Sequence, residues 1–361
     1  MANSLNSSVT SQVESLIDIS DVRLIESGNR IDRLMTVEIR PIKEGLPCGI
    51  VVPMYEVCRK WQGDIPLSLL AAASLKSRIK KGSTVFILTG AGVAPKLPEG
   101  ETDGPHGAVA LAASLIKGFG ARVILVTENA HMRPVRAAVE LIHIKLNEWV
   151  NRKHGREFQK IEVVEFPVGL AAGRVCAEKI TNQYQPEAVI AIERDGPNAE
   201  GQFHGVRGDC RDPEKVGYVY LLIEQAKMRS ALTIGIGDGG NEIGFGKMRD
   251  EITALLPNRG RSQEGHPSGV VTVVETDVTV SASVSNWGGF AISAALAVLL
   301  NDQDLLHDAQ TECELTAVTV SAGARDGATG TAVLSTDGIS MKAHSALIEL
   351  MKEAVKVVVT K

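Results

Sequence analysis

Leu232-Thr233-Ile234-Gly235-Ile236-Gly237-Asp238-Gly239-Gly240-Asn241-Glu242-Ile243-Gly244 runs from a short apolar segment straight into a loop dense in glycine and carboxylate. The apolar start, Leu232 to Gly235, lacks period-two alternation, as expected of a strand buried on both faces of a parallel sheet. Similar short runs occur at Val85 to Thr89, Arg122 to Thr127, Ile161 to Phe166, Ala188 to Glu193 and Val270 to Val274. Helical patterns fall between them, at His106 to Gly118, Pro134 to Arg152, Leu170 to Tyr184 and Val216 to Met228. Another, Leu67 to Lys80, precedes the first strand. Strand, loop and helix repeated in this order predict an α/β fold with a doubly wound, mainly parallel, Rossmann-like sheet. After Val280 the pattern turns helical, at Trp287 to Leu300, Asp304 to Ala324 and Ala343 to Val358. The expected organisation is a poorly ordered tail over residues 1–27 and one α/β domain over residues 28–361, with a mostly helical C-terminal part from about residue 285.

Composition narrows the function. The 361 residues carry 38 Lys and Arg against 43 Asp and Glu, a net charge of −5, which excludes the basic field of a nucleic-acid surface. Aromatic residues make up 4%, too few for a base-stacking platform, while glycine is abundant at 35. No apolar run reaches the roughly 18 residues needed to span a bilayer. Five scattered cysteines in no CxxC pair (Cys48, Cys58, Cys176, Cys210 and Cys313) read as reduced thiols, which points to a cytoplasmic protein.

The polar residues collect just after the predicted strands, on the edge where open α/β sheets bind ligands. Gly235-x-Gly237-x-x-Gly240 matches GxGxxG, but Asp238 places a carboxylate where a pyrophosphate would lie, and no nicotinamide cofactor is expected. Asp238, Glu242 and Asn241, among Gly237, Gly239 and Gly240, suit a cation better: a substrate ammonium or a divalent metal such as Mg²⁺ or Mn²⁺ held by Asp238 and Glu242. A tight turn with Asn241 capping a helix is the simpler alternative. The loop after the first strand holds Gly90 and Gly92 and ends at Glu101-Thr102-Asp103-Gly104-Pro105, which reads as a helix start with Asp103 as N-cap and exposed amides for an anion. After the fourth strand come Glu193, Arg194 and Asp195, then His204 and Arg207. Arg194 and Arg207 are candidate partners for a substrate carboxylate. His204, Glu193 and Asp195 are candidates for proton transfer. Cys210 has no evident base and is not expected to act as a nucleophile.

These loops resemble the C-terminal domain family of D-glutamate cyclase, the enzyme that converts D-glutamate to 5-oxo-D-proline. The blocks that carry the likeness are Thr89-Gly90-Ala91-Gly92, Gly100 to Pro105, Gly235 to Gly244, Ser285-Asn286-Trp287-Gly288-Gly289 and Ala324-Arg325-Asp326-Gly327-Ala328-Thr329-Gly330. The resemblance implies a hydro-lyase acting on a small amino dicarboxylic acid or its lactam, with Asn286 and Asp326 added to the substrate-binding set. The same groups run in reverse would make a lactam or lactone hydrolase. A nucleotide- or phosphate-binding module built on the Gly235 loop is the non-catalytic alternative. The Ala-rich helix from Trp287 is more simply core, though a homo-oligomer would find its interface there.

Overall fold

The computed structural model describes residues 16–41, 46–153, 157–265 and 267–359. In chain order the elements are α1 (Val22–Met35), α2 (Val51–Trp61), α3 (Leu67–Arg78), β1 (Thr84–Leu88), α4 (Pro105–Phe119), β2 (Arg122–Glu128), α5 (Met132–Arg152), β3 (Glu162–Phe166), α6 (Leu170–Tyr184) and β4 (Ala188–Ile192). They continue with α7 (Tyr220–Met228), β5 (Leu232–Gly237), α8 (Arg249–Leu255), β6 (Val278–Ser281), α9 (Ser285–Leu300) and α10 (Ala309–Ser321), then a short hairpin of β7 (Ser335–Thr336) and β8 (Ile339–Ser340), and α11 (Met341–Lys356).

The six long strands form one parallel sheet in the order β3-β2-β1-β4-β5-β6. Their side chains alternate between two apolar layers. Val85 and Ile87 of β1 face a core shared with α1, α3, α4, α5 and α9, whereas Phe86 and Leu88 face the layer under α6 and α7. Double-sided burial explains why the central strands β1 and β4 read as unbroken apolar runs, whereas the edge strand β3, Glu-Val-Val-Glu-Phe, is buried only at Phe166. The order reverses between β1 and β4, which pair in parallel from Val85↔Ala188 to Leu88↔Ala191. At such a switch point the following loops diverge and leave a crevice.

Two expectations need correcting. Val270 to Val274 is not a strand of the sheet; its backbone pairs with loops (Thr272 N to Gly240 O, Val273 N to Pro197 O), and the sixth strand is Val278–Ser281. Ordered structure begins well inside the segment expected as a tail: Ile17 is buried and Asp21 caps α1 through Arg23 N and Leu24 N, while residues 1–15 lie outside the described residues. The Ala-rich helix α9 is buried from Ser285 to Ala297 against α3, α4 and α1, as its reading as core expects.

Candidate active site at the strand switch point

Loops from the carboxyl ends of β1, β4 and β5 enclose a cavity of about 480 Å³. Its acidic lining is Glu101, Glu193, Asp195, Asp209, Asp238, Glu242 and Asp337; its basic lining is Arg40, Lys96, Arg207 and Arg211. A second cavity, about 650 Å³, opens at the other edge near Leu232 and Val278, where Arg78, Lys227, Lys247 and Asp277 are its charged residues. The chemistry concentrates in the first.

The Gly235 loop has an unexpected occupant. The Glu242 carboxylate accepts hydrogen bonds from the amides of Asp238 (3.3 Å), Gly239 (3.0 Å) and Gly240 (2.8 Å). The anion cradle that GxGxxG offers is therefore filled from within the chain. Neither a helix start at Gly240 nor an Asn241 cap is present, because the next α-helix begins at Arg249. Glycine is required at the crossing: a Cβ on Gly235 would stand 2.1 Å from Ile243 O, and one on Gly237 would meet Glu242 and Phe245. Burial and the neighbouring Asp238 outweigh the amides and raise the Glu242 carboxyl to about 8.

Around Glu242 the carboxylates crowd. Oxygens of Glu193, Asp238 and Glu242 lie within 4.8 Å of one another, as do those of Asp103, Asp238 and Asp337. Burial, then Asp238 and Glu242, push Glu193 well above the ordinary carboxylate range; Ser285 Oγ donates to it. Burial and Asp337 raise Asp103 to about 7. The cation inside the group is Arg40, with Nη1 2.5 Å from Asp238 Oδ2 and 3.6 Å from Asp337 Oδ2. Burial works against its charge, but Asp238, Asp337, Asp103 and Glu193 hold it protonated above its usual value. Sequence reading missed Arg40 and Asp337. They stand 198 residues before and 99 after Asp238, and no local pattern marks them.

Asp195 and Asn241 lie on the cavity wall and bond each other, Asn241 Nδ2 to Asp195 Oδ1 at 2.9 Å. Arg211 closes the set on Asp195 (3.4 Å) and Asp209 (2.8 Å). Arg207 lines the cavity and donates to Ala328 O at 3.3 Å.

Other expected site residues build the walls rather than the lining. Arg194 is buried and bonded to both carboxylate oxygens of Glu128 and to Gly90 O, tying the ends of β1, β2 and β4 together; it is committed to that ion pair. Glu128 is held far below the carboxylate range by Arg194 against the opposing effect of burial. Gly90 and Gly92 act through their backbones at φ +93° and +116°, with Gly92 O bonded to His131. His204 lies outside the cavity, its Nε2 3.0 Å from Ser262 Oγ, and it reaches the wall through its carbonyl, which accepts from Asn241. Thr102 donates to Ser335 O, and Asp326 accepts from Thr329 N, Ser335 Oγ and Gly338 N.

The anion site expected at the start of α4 is likewise filled. Gly104 is the N-cap, and the amides of Gly104 and Gly107 donate to Asn286 Oδ1. In return the Asp103 carboxylate accepts from Ser285 N and Asn286 N at the start of α9. The two helices cap each other, which accounts for both motifs at once.

A model of the family described as D-glutamate cyclase-like, C-terminal, matches residues 62–352. The chain is also 30% identical over 213 residues to the human protein named D-glutamate cyclase, mitochondrial; the match covers 56% of this chain and 30% of that protein. The chain therefore aligns with about a third of the length of this relative. Among the described residues no helix is long and apolar enough to cross a membrane.

Proposed function

The chain belongs to the D-glutamate cyclase-like, C-terminal family, and from that premise we propose that it interconverts D-glutamate, or a close amino dicarboxylic acid, with the corresponding lactam, 5-oxo-D-proline. The observation that carries the reading is the group of Glu193, Asp238 and Glu242 at the switch point, in a cavity that Arg207 and Arg211 also line. Lactam closure joins the amine nitrogen to the γ-carboxyl carbon and expels one carboxyl oxygen as water. The ammonium gives up two protons, and both leave in that water, so the sum is neutral.

This division of charge suits a zwitterion. Asp238 and Asp195 attract the ammonium, and Arg207 receives a carboxylate. Glu242, raised to about 8, holds its proton near neutral pH, and burial with the neighbouring Asp238 and Glu242 raises Glu193 in the same direction. A neutral carboxyl can protonate the departing oxygen, and an ionised neighbour can take the proton from nitrogen. Where Mg²⁺ or Mn²⁺ is bound, Glu193, Asp238 and Glu242 would hold it, and it would polarise the carboxyl under attack. The self-occupied Gly235 amides weigh against the nucleotide- or phosphate-binding alternative.

The test is incubation of the purified protein with D-glutamate and, separately, 5-oxo-D-proline, with and without Mg²⁺ or Mn²⁺, followed by chiral chromatography. Interconversion that falls roughly 100-fold or more in Asp238→Asn is expected. No turnover of either compound, or of related lactams, under every metal condition would overturn the reading.

A further inference from the structure

Behind the cavity wall stands a second set of donors, different in kind from the carboxylate group. His204 and Cys210 face each other across an antiparallel bridge, closed by Gly205 N to Asp209 O (2.9 Å) and Arg211 N to Phe203 O (2.7 Å). Directly opposed residues send their side chains to the same face of such a pair. Glu264, from the segment after α8, reaches that face and accepts from Cys210 N with both oxygens at 3.1 and 3.2 Å. A ring nitrogen of His204, Sγ of Cys210 and a carboxylate oxygen of Glu264 all lie within 4.8 Å of one another.

We propose that His204, Cys210 and Glu264 form a binding site for a zinc-class divalent cation, distinct from the catalytic carboxylates. Imidazole and thiolate together select Zn²⁺ or Co²⁺ over the hard cations that carboxylates alone would take. Bonds of about 2.0 to 2.3 Å would draw the three ligand atoms inward by roughly 1 Å. Cys210 binds as thiolate and releases its proton to solvent. Ser262 Oγ, 3.0 Å from His204 Nε2 and 2.9 Å from Glu264 Oε2, joins two of the ligands in the outer layer that orients such sites. The consequence lies on the other side of the hairpin. Arg207, Asp209 and Arg211, between or next to the ligands, line the cavity. A bound ion would fix the hairpin that presents them.

The experiment is titration of the chelator-treated full chain with Co²⁺ and Zn²⁺, read by the thiolate-to-cobalt charge-transfer band and by metal per chain after desalting. One equivalent with a thiolate band is expected. Cys210→Ser should abolish the band, and Glu264→Gln should weaken Zn²⁺ binding by at least about tenfold. Asp238→Asn should leave the thiolate band unchanged, which separates this site from the catalytic group and from the fate of the proposed reaction. Circular dichroism confirms that each variant is folded. Absence of the band in the parent protein, its persistence in Cys210→Ser, or its loss in Asp238→Asn would each overturn the proposal.

Discussion

Glu242 shows how one residue changes the meaning of a motif. The glycine spacing around it is that of a phosphate cradle, yet the amides of residues 238–240 close on a side chain of the same loop. The arrangement keeps a carboxyl buried beside Asp238 and raises it to about 8 from an ordinary value of 4.5. The folded chain then holds this proton more tightly than the unfolded chain. Its contribution to stability is complete below pH 4.5 and is lost as pH rises through about 8. Asp103, raised to about 7, and Asp32, raised by burial to about 6, act in the same direction. Urea unfolding is expected to show stability falling across this window, with a shallower fall in Glu242→Gln. Turnover in that variant should drop roughly 10²- to 10⁴-fold, the usual worth of a positioned acid. A Glu242→Gln chain with parental turnover and an unchanged pH slope would remove Glu242 from the chemistry.

Among the elements, α4 and α9 do most to position the site. Their starts exchange caps, Asp103 to α9 and Asn286 to α4, and glycines let the helices approach. A Cβ on Gly107 would lie 2.8 Å from Asn286 Cα, and one on Gly289 would lie 2.8 Å from Gly107 O. Both obstacles are backbone, so the helices themselves must move. Gly107→Ala should cost about 1–3 kcal/mol in urea unfolding, typical of overpacking, and should lower turnover because Asp103 and Ser285 shift with the helices. Parental stability in Gly107→Ala would show that the contact is loose. This level also marks what the sequence could reveal. β1 and β4 are legible because strands buried on both faces carry unbroken apolar runs, while the edge strand β3 is legible from its valines and Phe166 beside glutamates that reach solvent. The last strand was misplaced because Val270 to Val274 and Val278 to Ser281 have equal claims as β-branched runs. The choice between them rests on distant partners: Val273 N finds Pro197 O, whereas Val278 to Ser281 find β5. The Asp103 and Asn286 motifs each stand out in the sequence, but a reciprocal cap between residues 183 positions apart has no local signature.

At the scale of the whole molecule, the N-terminal segment completes a site whose recognisable motifs all lie later. The family match starts at residue 62, yet Ile31 and Met35 of α1 are buried in the main core. Asp32 accepts from Leu67 N and Ser68 N at the start of α3, and Tyr55 of α2 donates to the same carboxylate. A chain beginning at residue 62 should accordingly lose its cooperative unfolding transition. Arg40 makes a finer test because it removes charge without removing an element. In Arg40→Met the buried carboxylates of Asp238 and Asp337 lose the cation between them, and uncompensated buried charge costs about 3–5 kcal/mol. Acid relieves that cost, because a protonated carboxyl no longer needs the guanidinium. The stability gap between Arg40→Met and the parent should be widest near neutral pH and should narrow as the carboxylates take up protons. Urea midpoints at several pH values measure it. A gap independent of pH would mean that Arg40 contributes packing rather than charge, and the cavity would then be neutralised by something other than the N-terminal segment.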